Sequence, residues 1–339
     1  MFGAGVRCYH PCSSAICKEL PLGSLVTGTG YIGARLAQLL LDSGEPVVGL
    51  DNLFSTDVAA IKQLARRPEF RFVEGDVRDE DAVRRAFETG VSIDTVYHLA
   101  AQASGNPKAA PVRYTEETNL IGPRVVLDQA CAAGASTFVF GSSIQLYGRG
   151  VEGEVDESHP FGPILDMSHL SKVHAEKLIE MYSHNRGIRC ASARIGLVYG
   201  LSPVMKTDQR FMTAPNKFCL QAARGDTIRV DISASNPTSM VHVDDAARGL
   251  IALAGWPREG FGAVNLVGET ASVADVAGLV RRLAGVRGLA GRVEAPGEAG
   301  QVAWCEFRSA MDEIGFAPRR SLEEGLAEVL EHWMTGAGS

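Results

Sequence analysis

The sequence has no excess of positive charge and no long apolar run, internal repeat or low-complexity tract. Its 339 residues carry 33 Lys and Arg against 40 Asp and Glu, a formal net charge of −7. An acidic chain offers no broad cationic surface to a phosphate backbone, so we expect no nucleic-acid partner. Because no apolar stretch approaches the ~20 residues that cross a bilayer as a helix, we expect no membrane partner either.

The cysteines are too few for a disulfide framework, since the chain has seven in 339 residues. Three of them, Cys8, Cys12 and Cys17, lie with His10 in a leader of residues 1–21. Their spacing fits no zinc pattern, so no metal site is expected. The leader lacks the long apolar core and the small-residue cleavage site of a secretory signal. We expect a disordered leader and a cytoplasmic protein.

From residue 22 onward, short apolar runs alternate with segments of helical periodicity. The predicted strands are residues 25–27, 47–51, 70–73, 95–99, 138–140, 189–193, 240–243 and 263–266, and the main predicted helices of the first half are residues 80–87, 115–133 and 168–185. Strands that alternate with helices form a parallel sheet covered on both faces. The sequence therefore predicts the α/β class: a Rossmann-type doubly wound parallel sheet with a smaller C-terminal α/β substrate-binding region.

A glycine-rich turn follows the first predicted strand, where residues 28–33 fit the pattern G-x-G-x-x-G. Gly28 allows the tight turn, Gly30 lets the backbone approach a pyrophosphate, and Gly33 lets the following helix lie close to the sheet. Asp51 ends the second strand, where its carboxylate accepts hydrogen bonds from ribose hydroxyls and repels a 2′-phosphate. This context predicts NAD as the cofactor.

The regularity weakens after Tyr199, where loops rich in Pro, Asn, Ser and Asp begin. We expect residues 22–200 to form the NAD-binding Rossmann domain, with residues 240–256 packing on it. Residues 201–339 are expected to be mostly the substrate-binding region.

A set of further strings occurs in a fixed order over about residues 22–335. They are Leu50–Leu53 (LDNL), Gly75–Asp79 (GDVRD), His98–Gln102 (HLAAQ), Asn119–Gly122 (NLIG), Gly141–Gly148 (GSSIQLYG), Ser171-Lys172, Arg194 to Gly200 and Val241–Asp245 (VHVDD). In this order and spacing the chain resembles the extended short-chain dehydrogenase/reductases, the NAD-dependent epimerase/dehydratase group.

The resemblance implies roles for individual residues. Ser143 would hydrogen-bond the substrate oxygen that is oxidised or reduced, Lys172 would hold the nicotinamide ribose, and Asn119 would kink a helix behind the active site. His98 and Gln102 are interpreted as strand-end polar residues satisfied by the backbone. The residues expected to bind the cofactor are Gly28, Gly30, Tyr31, Ile32, Gly33, Asp51, Asn52, Asp76, Val77, Leu99, Ala100, Ala101 and Lys172.

The sequence departs from the family pattern at the active site, because Ser168 stands four residues before Lys172, where the family has tyrosine. A serine hydroxyl is a much weaker acid than a phenol. Three substitutes are candidates: Ser168 holding a water that relays the proton, His169, and Tyr147 from the turn after the fifth strand. The structural alternatives are a small helix-start residue, a surface histidine and a packed aromatic, respectively.

The substrate contacts also differ. Leu197 and Thr238 occupy positions where nucleotide-sugar enzymes often have an Asn and an Arg for the diphosphate. The dehydratase-type acid pair is replaced by Ile144 and Gln145. Substitute cations in the variable region are Arg210, Lys217, Arg224 and Arg229, with solvated surface positions as the alternative.

The leading hypothesis is an NAD-dependent epimerase/dehydratase-type enzyme that transfers hydride on a hydroxylated small molecule, a nucleotide sugar in most of the family. One alternative is an NAD-dependent reductase or dehydrogenase of a non-nucleotide secondary-metabolite alcohol or ketone, and another is an NAD-binding protein with non-redox or lost catalysis. The resemblance also implies a homodimer formed by helices 115–133 and 168–185. Their apolar residues, which sheet packing would bury equally well, are Val125, Val126, Leu127, Leu170, Val173 and Leu178.

Overall fold

The computed structural model describes residues 20–103, 110–148, 151–230, 236–289, 292–294 and 305–336. The expected leader and its cysteine cluster lie outside the described residues, apart from Leu20 and Pro21. Within the described ranges, no helix combines the length and apolar character needed to cross a membrane.

Strands β1 to β14 of the described chain are, in order, Leu22–Thr27, Val47–Asp51, Phe70–Glu74, Ser92–His98, Thr137–Ser143, Gly153–Val155, Arg189–Ile195, Leu197–Tyr199, Ile228–Arg229, Pro237–His242, Phe261–Leu266, Glu269–Ser272, Val293–Glu294 and Cys305–Phe307. Helices α1 to α10 are Tyr31–Asp42, Val58–Leu64, Glu80–Phe87, Val112–Glu116, Gly122–Ala133, Met167–Arg186, Ala214–Ala223, Val243–Ala254, Val273–Val286 and Leu322–Met334. Single helical turns of other types cover Glu117–Ile121, Ile144–Tyr147 and Ala310–Ile314.

Seven of these strands form one parallel sheet in the order β11-β7-β5-β4-β1-β2-β3. Its central strands are buried on both faces, as in β2, whose five residues are all buried. One face packs on helices α1 and α8 through residues such as Leu36 and Leu250. The other packs on α3, α5 and α6 through Val83, Val126 and Ile179. The predicted doubly wound Rossmann-type sheet is confirmed.

The second region is smaller and is built around a three-stranded sheet of order β12-β10-β8. Helices α7, α9 and α10 enclose its apolar core, which includes Phe218, Val276 and Leu326. Two strand pairs, β9 with β13 and β6 with β14, complete it. The chain passes directly from the main sheet into this region, since β8 begins two residues after β7 ends.

Two stretches of the C-terminal half belong to the main sheet. Helix α8 packs against α1. Strand β11 pairs with β7 along its whole length and forms one edge of the main sheet. The Rossmann unit therefore extends past residue 200 to include Phe261–Leu266.

The helix predicted over residues 115–133 is not continuous, because the chain widens into a π-helical turn at Glu117–Ile121. The Asn119 amide turns away from its own helix: its Oδ1 accepts from the Gln102 backbone N–H at 2.8 Å, and its Nδ2 donates to the Gln102 carbonyl at 2.9 Å. The same Nδ2 donates to Ser171 Oγ at 3.0 Å. These tertiary bonds stabilise the widened turn, and they join it to α6 beside Lys172.

Candidate active site

A cavity of about 740 Å³ opens at the carboxyl ends of the parallel strands, where ligands bind in folds of this kind. The predicted site residues that line it are Gly28, Gly30, Tyr31, Ile32, Gly33, Asp51, Asn52, Val77, Leu99, Ala100, Ala101, Ser143, Ser168 and Lys172. Asp76, Tyr147 and His169 are not part of its wall. One cavity thus contains both the expected cofactor site and most of the expected catalytic residues.

The glycine turn forms a cradle that side chains would fill. A Cβ at Gly28 would lie 2.5 Å from the Ala100 backbone N, and one at Gly33 would lie 2.0 Å from the Gly28 carbonyl O. Gly30 is the N-cap of α1, no side chain caps it, and the first turn holds no acidic residue. The N–H groups of that turn are therefore free to bind phosphate. The geometry fits a dinucleotide pyrophosphate.

Asp51 lies at the end of β2 on the wall of the cavity, 8% exposed. Its Oδ1 accepts from the Leu53 N–H at 2.8 Å, and its Oδ2 accepts from Thr56 Oγ1 at 3.2 Å. Burial raises the pKa of this carboxyl, although the hydrogen bonds from Leu53 and Thr56 oppose the shift. The arrangement holds the carboxylate where an adenosine ribose would meet it.

Asn52 links this position to the next strand end. Its Nδ2 donates to Asp76 Oδ2 at 2.7 Å and to the Tyr114 hydroxyl at 2.9 Å. Asp76 itself is paired with Arg78 at 2.8 Å. Asp76 therefore positions Asn52, while Val77 supplies the cavity wall that would face the adenine.

Lys172 occupies the second turn of α6 and extends to the end of the sheet. Its Nζ donates to the Gly141 carbonyl O at 2.6 Å and lies 4.7 Å from the centre of the Phe140 ring. Burial lowers the pKa of Lys172 to about 8, while the nearby Glu176 carboxylate opposes the shift. The amine therefore exchanges protons near neutral pH, as acid/base catalysis requires.

Two serines face the cavity near this lysine. Ser143 ends β5, where its Oγ accepts from the Gln145 N–H at 3.2 Å. Ser168 lies in the first turn of α6 and is 4% exposed, and its Oγ donates to the Ala103 carbonyl over a long distance of 3.5 Å. Because Ser168 precedes Lys172 by four residues, the two share one face of the helix. Ser143, Ser168 and Lys172, which are far apart in the sequence, thus lie on the wall of one cavity.

The other two candidate acid/base groups lie elsewhere. Tyr147 is 2% exposed and donates from its hydroxyl to Asn265 Oδ1 at 2.6 Å, while Arg194 donates to the same hydroxyl oxygen at 2.7 Å. It is the packed aromatic of the structural alternative. His169 is 4% exposed, so the alternative of a surface histidine is wrong. Its position next to Ser168 turns it about 100° away, into the protein and off the cavity wall.

His98 is fully buried at the end of β4, beneath the cavity. Its Nδ1 lies 2.7 Å from Thr27 Oγ1, and its ring stacks against Phe138 and Phe140. Burial, with a smaller contribution from the Lys172 charge, lowers the pKa of His98 to about 3. It is therefore a neutral packing residue, although its bond is to a threonine hydroxyl and not to the expected backbone.

The described wall of the cavity contains two tyrosines, and both are engaged at the cofactor end. Tyr31 donates its hydroxyl to the Gly200 carbonyl at 2.6 Å and accepts from Asn216 Nδ2 at 2.9 Å. Tyr114 accepts from Asn52 and stacks on Phe54, with ring centres 4.5 Å apart. Neither phenol is free to replace the tyrosine that the family has at the position of Ser168.

The substrate end of the cavity is lined by Gln145, Leu197, Thr213, Thr238 and Phe307 among others. None of the four suggested substitute cations lies on its described wall. Arg210 pairs with Asp208, and Arg229 is 80% exposed beside Glu294. Lys206 lies on the wall instead. Sequence reasoning missed it because a lysine in a loop carries no pattern that separates it from surface cations.

Comparison with known proteins gives the same assignment. Residues 24–267 match the model of the NAD dependent epimerase/dehydratase family. A putative UDP-glucose 4-epimerase of Methanocaldococcus jannaschii is 27% identical over 319 residues, which are 91% of this chain and 97% of that protein. A UDP-glucuronate 4-epimerase of Thermodesulfobacterium geofontis is 26% identical, with 90% and 94% covered.

Solved structures agree. A UDP-glucose 4-epimerase of Thermotoga maritima with UDP-glucose superposes with a TM-score of 0.79 at 25% identity, over 93% of this chain and 99% of that one. The Thermus thermophilus UDP-glucose 4-epimerase with NAD gives 0.77 at 25% identity, over 91% and 98%. With the glycine cradle and Asp51 in place, this chain belongs to the NAD-dependent epimerase/dehydratase family and is an NAD-dependent enzyme of the extended short-chain dehydrogenase/reductase type.

Proposed function

We propose that this enzyme epimerises a nucleotide sugar by reversible hydride transfer at a carbon that bears a hydroxyl group, with Lys172 as the proton acceptor and donor. The observation that carries the proposal is the placement of Ser143, Ser168 and Lys172 on the wall of the cavity that contains the glycine cradle. The relatives named as UDP-glucose and UDP-glucuronate epimerases support the substrate class. When bound, NAD supplies the hydride acceptor.

Each residue has a defined task in this proposal. Ser143 donates a hydrogen bond to the substrate oxygen and fixes the reacting carbon. Lys172, whose pKa burial lowers to about 8, takes the hydroxyl proton as a neutral amine and returns it as an ammonium. Ser168 replaces a bulky phenol with a short side chain, which leaves room for the hydroxyl, or for one relaying water, between the substrate and the amine.

Epimerisation is favoured over elimination of water. The carboxylate on the described wall of the cavity is Asp51 at the ribose position, and Gln145 occupies the wall beside Ser143. Elimination needs an acid that protonates the departing hydroxyl. Return of the hydride to the opposite face of the oxidised sugar needs no such group.

The test is the pH dependence of epimerisation of UDP-glucose, UDP-galactose and UDP-glucuronate. Because only the neutral amine accepts a proton, we expect kcat/KM to rise about tenfold per pH unit below pH 8 and to level off above it. Lys172→Met should lower kcat by about 10²- to 10⁴-fold while NADH still binds. Lys177→Met, on the same helix but 64% exposed, should behave as the parent enzyme.

Two outcomes would contradict the assignment of Lys172: a flat profile from pH 6.5 to 9.5, or full activity of Lys172→Met. Ser168→Tyr adds a second comparison. If Ser168 only leaves room for the lysine, the tyrosine variant should regain the usual phenol chemistry, and the rise in rate should move to lower pH.

A second candidate function is NAD binding without redox turnover, favoured by the absence of a free phenol on the described wall. A third is oxidation of an alcohol or reduction of a ketone that carries no nucleotide, favoured by Leu197 and Thr238 at the substrate end. The substrate panel separates them. Bound cofactor whose reduced-nicotinamide absorbance responds to no alcohol, sugar or sugar nucleotide would establish the second candidate.

We further propose a homodimer through the outer faces of α4, the π turn, α5 and α6. Val125, Val126 and Leu127 belong to the core and take no part. Exposed apolar side chains remain on these neighbouring elements: Val112 at 52%, Ile121 at 42%, Leu170 at 40% and Met181 at 48%. Such a set of exposed apolar residues is typical of an interface. A cytoplasmic location stays a prediction from the cysteine usage and the sequence of residues 1–21.

A further inference from the structure

The segment of residues 200–213, here called the cover segment, connects β8 to α7 and contributes Lys206 and Thr213 to the cavity wall. At its start, Ser202 Oγ donates to the Tyr31 carbonyl at 2.6 Å, and Val204 is 1% exposed. Near its end, the Phe211 ring lies 6.1 Å from that of Phe54, which belongs to the loop after Asp51. The cover segment is therefore fixed at the first turn of α1 and again beyond the ribose carboxylate.

Lys206 lies between these two attachment points and on the cavity wall. Three charged side chains line the described wall: Asp51, Lys172 and Lys206. The first two have partners, since Asp51 accepts from Leu53 and Thr56 and Lys172 donates to Gly141. Among the described residues no carboxylate pairs with Lys206, and burial lowers the pKa of its amine. A cation held partly out of water without a counter-ion calls for an anionic ligand.

We propose that Lys206 is a pyrophosphate-binding residue of this enzyme. Its ammonium would bind a phosphate oxygen of a nucleotide ligand in the cavity. Two ligands supply the same chemistry: the dinucleotide cofactor, whose phosphates the cradle of α1 receives, and the diphosphate of the substrate. The substrate source rests on the proposed function, whereas the cofactor source rests on the glycine cradle alone.

The position of the cover segment explains why a single lysine would suffice. The N–H groups of the first turn of α1 already neutralise part of a pyrophosphate from below. A cation in a segment anchored through Ser202 to that same turn would supply the remaining positive charge. Leu197 and Thr238 bring no charge to the wall, and of its two described lysines Lys172 already donates to Gly141, so Lys206 is the one available to a diphosphate.

Binding measurements on the full-length protein test the proposal without turnover. The probes are ADP-ribose and adenosine for the cofactor, and UDP and uridine for the substrate, measured by calorimetry. In Lys206→Met, we expect affinity for at least one diphosphate to fall about tenfold to a hundredfold, the usual range for a charge-assisted hydrogen bond. The matching nucleoside should bind unchanged, and Lys206→Arg should retain most of the affinity.

Lys62→Met is the matched control, because Lys62 is exposed on α2 and does not line the cavity. A loss confined to ADP-ribose assigns the lysine to the cofactor, and a loss confined to UDP assigns it to the substrate. Unchanged affinity of Lys206→Met for both diphosphates would overturn the proposal. Inactivity towards UDP-sugars would not overturn it, since none of these binding measurements depends on catalysis.

Discussion

At the scale of single residues, His98 shows how the protein excludes charge from beneath the cofactor. Its ring is fully buried between aromatic rings and close to the Lys172 ammonium, so that burial and then the lysine lower its pKa to about 3. A protonated imidazole there would repel Lys172 and lose its hydration. The neutral ring places no second positive charge beside Lys172.

The lowered pKa of His98 predicts that the stability of the protein depends on pH. The unfolded chain binds a proton at His98 near pH 6.5 and the native chain does so near pH 3, so the free energy of unfolding should fall as the pH drops between these values. The contribution of His98 is at most about 1.4 kcal/mol per pH unit. His98→Asn, which keeps a partner for Thr27, should flatten the slope measured by urea unfolding between pH 7 and pH 5.

Exposed His174 provides the control, since His174→Asn should leave that slope as it is. Equal slopes in the parent and His98→Asn would show that the imidazole does not stay neutral in the native state.

The sequence predicts which residues share a site when their chemical type and their spacing along a helix or strand are both known. Lys172 four residues after Ser168, and Ser143 at a strand end, could be placed in one site because a helix turn and a sheet edge have known geometry. Lys206 could not, because its role depends on where residues 202 and 211 attach. Tyr147 was an open candidate until the structure showed its bonds to Asn265 and Arg194.

At the scale of elements, the turn between β1 and α1 leaves no room for a side chain at Gly33. Gly33→Ala would place a methyl group 2.0 Å from the Gly28 carbonyl, so the helix must move away from the turn. We expect a loss of several kcal/mol of unfolding free energy, on the order of an overpacked core site, and loss of NADH binding. Thermal and urea unfolding with NADH titration measure both effects.

Gly285→Ala is the matched control in this case. Gly285 lies in α9, and a Cβ there would contact nothing within 4 Å. Alanine in a helix interior is favoured over glycine by about 0.5–1 kcal/mol, so this variant should be slightly more stable and bind NADH normally. A Gly33→Ala protein as stable as the parent would show that the turn has room to relax.

The elements that the sequence predicted are those with a strong periodic pattern. All eight strands interpreted from apolar runs are present within a few residues, and α3 has the predicted bounds. Short α2 and α7 were missed, because α7 owes its burial to α9 and α10, which come much later in the chain. The π turn lies at Asn119, where the family resemblance implied a kink, but its π-helical form was not predicted, since its cause is the bonding of Asn119 to Gln102 and Ser171.

At the scale of the whole molecule, the proposed dimer can be tested on the outer face of α6. Leu170→Glu with Met181→Glu places two charges on the exposed apolar surface, where burial in an interface would desolvate them. We expect the double variant to run as a monomer in sedimentation velocity while the parent runs as a dimer. Val286→Glu, at a position 86% exposed on α9, should leave the dimer intact.

A parent protein that sediments as a monomer, or a double variant that stays dimeric, would place the interface elsewhere or remove it. The sequence alone left this point open because buried and interfacial leucines and valines look the same. Only burial separates Val125, Val126 and Leu127 from Leu170.

The return of the chain to the main sheet through β11 restricts how ligands enter and leave. The chain leaves the main sheet after β7, comes back for α8 and β11, and leaves again, so several covalent connections tie the second region to the Rossmann unit. A region joined by several chain crossings is less free to rotate as a whole than one on a single linker. Product release should therefore depend on local lifting of residues 200–213, and the rate of that motion would set an upper limit on turnover.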